Sequence, residues 1–236
     1  VSLLELSHVV KRRRDGEREQ IVLADVSLQL AAGEHVAVFG ARRSGRTTLL
    51  RIAAGLESPD GGIVSLRGDS LRELGDSALG IGGIGYLRKT LRGNEEQGVL
   101  EQVGAPLLAH GRSVGDARLH AREALARVRA CSIAAARICE LSPGERLLVA
   151  LARAIVLKPV LVIADEPTGG VGMSERALIL TSIRALAGDG LAMLATTGEP
   201  DELAGADRAL TLGEGTLRGP AEPGLAPVVA LHRASL

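Results

Sequence analysis

Aromatic side chains are almost missing: Phe39 and Tyr86 stand alone and tryptophan is absent from 236 residues. That removes the stacking platforms on which single-stranded nucleic-acid binders seat their bases, so no nucleic acid is expected as a partner. Net charge is missing too. With 28 basic against 28 acidic residues, no global field draws the chain to a polyanion or an acidic bilayer, and only local clusters remain to do so. Two cysteines, Cys131 and Cys139, are too few for a disulfide framework and lack the paired Cys/His spacing of a zinc site, which suits a reducing compartment. They read as packing residues of a helical stretch. The histidines, His8, His35, His110, His120 and His232, have no helix-spaced carboxylate partners and read as surface or satisfied core positions. No long hydrophobic run exists either. The richest, Leu147 to Ala164, is broken by Arg153 and Lys158, and the amino terminus lacks a basic flank before an apolar stretch. The chain is therefore expected neither to span a membrane nor to be exported.

What is present alternates. The length suits one large core, or a core with a small inserted lobe. Leu3 to Val10 and Ile21 to Leu30 carry strand-like alternation around the charged stretch Lys11 to Gln20, which reads as a turn at Gly16 and predicts an antiparallel hairpin. His35 to Phe39 is a short apolar strand, and Thr47 to Leu56 has helix-spaced leucines and alanines. Gly62 to Leu66 and Ile84 to Leu87 are further short strands. From Asn94 to Glu140 the pattern turns helical, with Val99, Val103 and Leu107, then Ala121, Leu125 and Val128, at three- and four-residue spacing. Arg122, Arg127 and Arg129 read as its solvated face. Ser142 before Pro143 is a helix start, and the helix should run to about Leu157. A strand at Val160 to Ala164, a helix at Ser174 to Leu186, and strands at Leu191 to Thr196 and Ala209 to Leu212 complete an α/β order. Such an order implies a mostly parallel central sheet. Beyond Arg218 the proline-containing tail is expected to be loose.

Two stretches carry chemistry. Gly40-Ala41-Arg42-Arg43-Ser44-Gly45-Arg46-Thr47-Thr48 has the spacing of a phosphate-binding loop except that arginine stands at the lysine position. Backbone N–H groups and the positive end of the following helix would still form an anion site, so binding and catalysis separate. A guanidinium is a broad planar fork where the lysine supplies a compact charge, and weakened or altered geometry follows. A glycine-rich strand-to-helix turn can also be a plain turn. Leu161 to Glu166, an apolar strand ending in Asp165 and Glu166, strengthens the nucleotide reading, because a magnesium-ordering aspartate and a water-orienting glutamate stand there in phosphate-loop enzymes.

With Leu141-Ser142-Pro143-Gly144-Glu145 between these stretches and Ala164-Asp165-Glu166-Pro167-Thr168-Gly169 after it, nearly the whole chain resembles the ATP-binding cassette subunits of transporters. It looks nearest to the lipoprotein-release, macrolide-export and cell-division type. The resemblance implies a phosphate-loop NTPase fold with an antiparallel β subdomain and an inserted helical lobe. On that pattern residues 1–218 form one cassette, with a core lobe of 1–90 and 141–218, a helical lobe of about 91–140, and a tail of 219–236. It implies a head-to-tail pair of cassettes with ATP and Mg²⁺ between them, an integral membrane subunit as further partner, and a peripheral place on the cytoplasmic face of the plasma membrane. By this likeness residues 40 to 48 hold phosphates, Thr47 and Asp165 order magnesium, Glu166 polarises water, and Ser142 and Gly144 face the partner's nucleotide. Residues near Leu91 to Gly111 would meet the membrane subunit.

Departures accompany the likeness. Arg46 replaces the lysine, Lys89 a glutamine, Gly172 an aspartate, Thr197 the switch histidine, and Pro143 a signature glycine, which removes a backbone donor. No aromatic near Lys11 to Arg14 offers a stacking face to adenine. The expectation is a degenerate cassette paired with an intact one. A working homodimeric ATPase and a non-catalytic regulatory cassette are the alternatives.

Overall fold

A computed structural model of the chain describes residues 2–16, 18–87, 95–203 and 205–219. The expectations for Lys89, for residues 91–94 and for the tail from 220 onward lie outside them. The amino-terminal hairpin pairs β1 (Ser2–Asp15) with β2 (Arg18–Ala31), and β4 (Gly61–Leu66) and β5 (Asp69–Ser70) extend it into a four-stranded antiparallel sheet of order β2-β1-β4-β5. Both hairpin strands outrun their apolar segments. Lys11 pairs with Leu23, Arg12 with Ile21 and Arg13 with Gln20, so the charged stretch is largely strand, and Gly16, at φ 63°, turns. Backbone ladders need no apolar side chains, and a twisted two-strand ribbon lets its arginines stay in solvent. Register shifts between Leu6 and Val9 reset the alternation so that Leu4, Leu6 and Val9 are all buried.

The central sheet is built from β3 (His35–Phe39), β6 (Ile84–Leu87), β7 (Leu161–Asp165), β8 (Ala192–Thr197), β9 (Arg208–Gly213) and β10 (Thr216–Arg218) in the order β10-β9-β3-β8-β7-β6. All neighbours are parallel except β10 on β9, an edge hairpin that the sequence pattern did not announce. The short apolar runs are buried on both faces, as a covered parallel sheet requires. Leu161, Ile163, Ala192 and Leu194 enter one apolar cluster beneath the hairpin sheet; Val162, Ala164, Met193 and Ala195 enter the other. The two-residue period of the strands thus divides one sheet between two cores.

The first cluster is closed by α1 (Arg46–Ala53), whose Leu49, Leu50 and Ile52 are buried, and by the single turn α2 (Leu71–Leu74). The second is closed by α3 (Val99–Ala109), α4 (Val114–Arg127), α5 (Pro143–Ile155) and α6 (Met173–Gly188). Between α4 and α5 the expected helix gives way to 3₁₀ turns at Cys131–Ile133 and Ile138–Glu140, after Arg129 takes a left-handed φ of 60°. Cys131 and Cys139 are exposed free thiols on those turns, which corrects their reading as packing residues. Arg122, Arg127 and Arg129 are exposed, as expected. The start of α5 follows its sequence signal: Ser142 Oγ accepts from the Glu145 N–H, the Glu145 carboxylate accepts from the Ser142 N–H, and Pro143 occupies the first turn.

Candidate functional site

Strand order brings distant residues together. With β8 between β3 and β7, the segments leaving the carboxyl ends of these three strands emerge side by side, where ligands of open parallel sheets bind. Residues 40–48 leave β3, Asp165 and Glu166 end β7, and Thr196, Thr197 and Gly198 end β8.

The phosphate loop is shaped by its glycines and by burial. A Cβ at Gly40 would lie 2.6 Å from Ser44 Oγ and 2.7 Å from the Leu212 carbonyl oxygen, so no side chain fits there without a shift. Gly45 has φ 100° and a virtual Cβ 2.9 Å from the Val22 carbonyl. Arg43 takes the left-handed φ of 66° that the turn requires. Gly45 gives α1 no side-chain cap, so its first-turn N–H groups face the cleft without a side-chain acceptor. Ala41, Arg42, Arg43 and Thr47 are exposed; Thr48 is buried, and its Oγ1 accepts from Arg13 at 3.3 Å. Together with Asp165 and Glu166 the loop lines a cleft of about 1040 Å³. Four arginines, 13, 42, 43 and 46, stand in its wall against Asp165, Glu166 and Glu214. On its β2 side the cleft is lined by Gln20, Ile21 and Val22, and no aromatic is among its lining residues.

Arg46 does not project freely over the loop. It is 93% buried, and its Nη2 forms an ion pair with Glu166 Oε1. The other guanidinium nitrogen, Nη1, is buried without a hydrogen-bond partner and lies 3.1 Å from where a Cβ of Gly198 would be. Any side chain at Gly198 would therefore press on the guanidinium. Glu166 itself stands at φ 45°, a left-handed conformation that costs a non-glycine residue about 1–2 kcal/mol. Its N–H donates to Thr196 Oγ1 at 3.2 Å, and that hydroxyl donates to Asp165 Oδ1 at 2.9 Å, so one threonine orients both carboxylate residues.

Thr197, at the end of β8, turns away from the loop. Its hydroxyl donates to Glu202 Oε2 at 2.5 Å and accepts from the Glu199 N–H at 2.9 Å. Glu202 is nearly buried and also accepts from Thr168 Oγ1 and pairs with Arg176 at 3.4 Å. This knot of Thr168, Thr197, Glu202 and Arg176 was not legible in the sequence, since no spacing pattern ties these four positions. Ser142 and Gly144 do not line the cleft. They sit at the start of α5, where both contact Glu175 of α6, another residue that the sequence pattern did not single out.

A parallel sheet with a glycine-shaped loop leading into a helix, and a carboxylate pair ending a second strand of the same sheet, defines the phosphate-loop nucleotide-binding class. The model of the family described as ABC transporter matches residues 23–169, and the chain belongs to that family. It is 37% identical over 219 residues to the lipoprotein-releasing system ATP-binding protein LolD of Chromohalobacter salexigens, covering 91% of this chain and 92% of that protein. The solved dimeric structure of MJ0796, a bacterial ABC transporter cassette, superposes with a TM-score of 0.82 at 26% identity, covering 94% of this chain and all of that one. A dimeric post-hydrolysis state of the same cassette, bound to ADP and phosphate, gives a TM-score of 0.81 at 24% identity over 93% and 99% of the two chains. The expected α/β phosphate-loop fold is thereby borne out.

Proposed function

We propose that this chain is the ATP-binding subunit of a membrane transporter of the lipoprotein-releasing kind, and that it holds MgATP far better than it cleaves it. Binding is supported by the loop itself: α1 has no side-chain cap, which leaves its first-turn N–H groups without a side-chain acceptor, and Ser44 Oγ is buried without a hydrogen-bond partner. A triphosphate in residues 40–48 would satisfy these donors, since oriented N–H groups at a helix start suit anions. Thr47 and Asp165, both in the lining of the cleft, would supply oxygen ligands to Mg²⁺, which when bound neutralises phosphate charge. Among the described residues no helix is long and apolar enough to cross a membrane. The likeness to the lipoprotein-releasing ATP-binding protein supports reaching the bilayer through an integral membrane partner, at the cytoplasmic face in this reading.

The observation that carries weak hydrolysis is the ion pair between Arg46 and Glu166. A carboxylate that orients attacking water must be free to accept its proton, and one held by a guanidinium is a poorer acceptor. The same pair turns the cation away from the phosphates that a lysine would touch. Losing one positioned charge typically costs about 10² to 10³ in rate, enough to leave slow turnover even with the loop filled. The other departures act on the same machine, so their costs do not multiply. Thr197, tied to Glu202, offers no imidazole to the site. Pairing with an intact cassette would supply one competent composite site per dimer.

Retention of Glu166 favours one further reading, a self-sufficient homodimeric ATPase. Purified chain, alone and mixed with the cassette encoded beside its membrane subunit, separates the two. Low turnover alone and a rise on mixing supports the degenerate reading; equal turnover in both supports the homodimer.

A further inference from the structure

Ser142 and Gly144 are already engaged within the chain. Ser142 Oγ donates to Glu175 Oε1 at 2.7 Å, and the Gly144 N–H donates to the same oxygen at 3.2 Å. The serine hydroxyl meanwhile accepts from the Glu145 N–H, so its single proton is committed to Glu175. A Cβ on Gly144 would stand 2.6 Å from the Glu175 Cδ and 2.7 Å from Oε1. A side chain at this position would therefore push the Glu175 carboxylate from its seat. Glu175 lies in the first turn of α6, three residues after Gly172, and the carboxylate bridges from there to the start of α5. The next residue, Arg176, ties the same turn of α6 to Glu202. Met173 beside it is 87% exposed, leaving an apolar side chain uncovered at this face.

We propose that Glu175 is an autoinhibitory contact: a tethered carboxylate that occupies the donors meant for the terminal phosphate of a nucleotide held by a facing cassette. This rests on the reading that Ser142 and Gly144 serve a partner's nucleotide. The chemistry of the two occupants matches, since both present an anionic oxygen to one hydroxyl and one helix-start N–H. Both cannot stay, because two anions on one pair of donors repel each other. Cassette pairing therefore requires Glu175 to swing out, and its release moves the first turn of α6. The contact holds the chain unpaired until a partner brings phosphate, and so discriminates a loaded partner from an empty one.

The test is MgATP-dependent dimerisation of the full chain by sedimentation velocity, comparing wild type with Glu175→Ala and Glu175→Gln, with MgATP binding measured by calorimetry on the same samples. The expected result is that Glu175→Ala lowers the MgATP concentration needed for pairing by about tenfold, with Glu175→Gln between it and wild type. Unchanged or weaker pairing of Glu175→Ala with MgATP bound would overturn the proposal. If no variant binds MgATP, the nucleotide reading fails instead, and amide hydrogen exchange at Gly144 decides the contact. Faster exchange in Glu175→Ala than in wild type supports the carboxylate's seat on the amide, and equal rates overturn it.

Discussion

Arg46 and Glu166 lie 120 residues apart in the chain and are joined across the floor of the cleft by an ion pair. One residue comes from the phosphate loop and the other from the strand whose carboxylate should face water. In the proposed reading their pairing would link two departures from an ordinary nucleotide site, a cation turned from phosphate and a base turned from its proton. Arg46→Lys should undo both, because lysine is a compact point charge without the guanidinium whose Nη2 engages Glu166. Steady-state ATP hydrolysis of the purified chain should rise about tenfold. An unchanged or lower rate, with nucleotide still bound, would mean that the pair does not limit turnover.

Glu166→Gln gives the complementary test. Where the carboxylate is already held, replacing it changes a slow rate little, by less than about threefold on the scale of general-base losses. In the Arg46→Lys background the same replacement should abolish the gain. A large loss in the otherwise native chain would favour the self-sufficient ATPase.

Gly198→Val tests the packing of the guanidinium. A side chain there enters the space 3.1 Å from Arg46 Nη1, and overpacking of this kind costs about 1–3 kcal/mol. Urea unfolding should show that cost in the native background and show less of it with Arg46→Lys, since the two sites are in contact and need not add.

Much of this was visible in the sequence, and what was not has physical reasons. Apolar runs such as Leu161 to Ala164 announce buried parallel strands, and the Ser142-Pro143 start of α5 is a local signal that the structure honours. Spacing also marked residues 40–48 and the Asp165-Glu166 pair, which the strand order then brings together. The charged run after Val10 misled, because a ladder depends on backbone pairing that side-chain polarity does not report. Partners of side chains were invisible altogether. Nothing local to Arg46 points to Glu166, nothing near Thr197 to Glu202, and nothing near Gly144 to Glu175.

Glu202 should be a stability residue. Truncation by Glu202→Ala strands the Thr168 hydroxyl, leaves Thr197 only its contacts with Glu199 and removes the partner of a part-exposed Arg176, at a cost of about 1–3 kcal/mol. Glu202→Gln, which keeps shape and one acceptor, should cost less. Denaturant midpoints at constant slope report the difference.

His35 makes stability depend on pH. Burial pushes its pKa below 6.5, against smaller upward pulls from the Gly205 carbonyl and Asp207, with Arg184 adding a further downward push. The unfolded chain then binds a proton that the folded chain refuses. Stability is full above pH 6.5 and is lost as pH falls from there through the lowered folded value. Melting temperature should drop over that range in the native protein and drop less in His35→Asn; parallel profiles would exclude this source.

The most direct test of nucleotide retention without cleavage follows the fate of bound nucleotide. Native chain and Arg46→Lys are incubated with radiolabelled MgATP, separated rapidly from free nucleotide, and the bound fraction is resolved into ATP and ADP. Intact ATP on the native chain and ADP accumulating on Arg46→Lys is the predicted result. A native chain that carries no nucleotide, or that converts it to ADP as fast as the variant, contradicts the account.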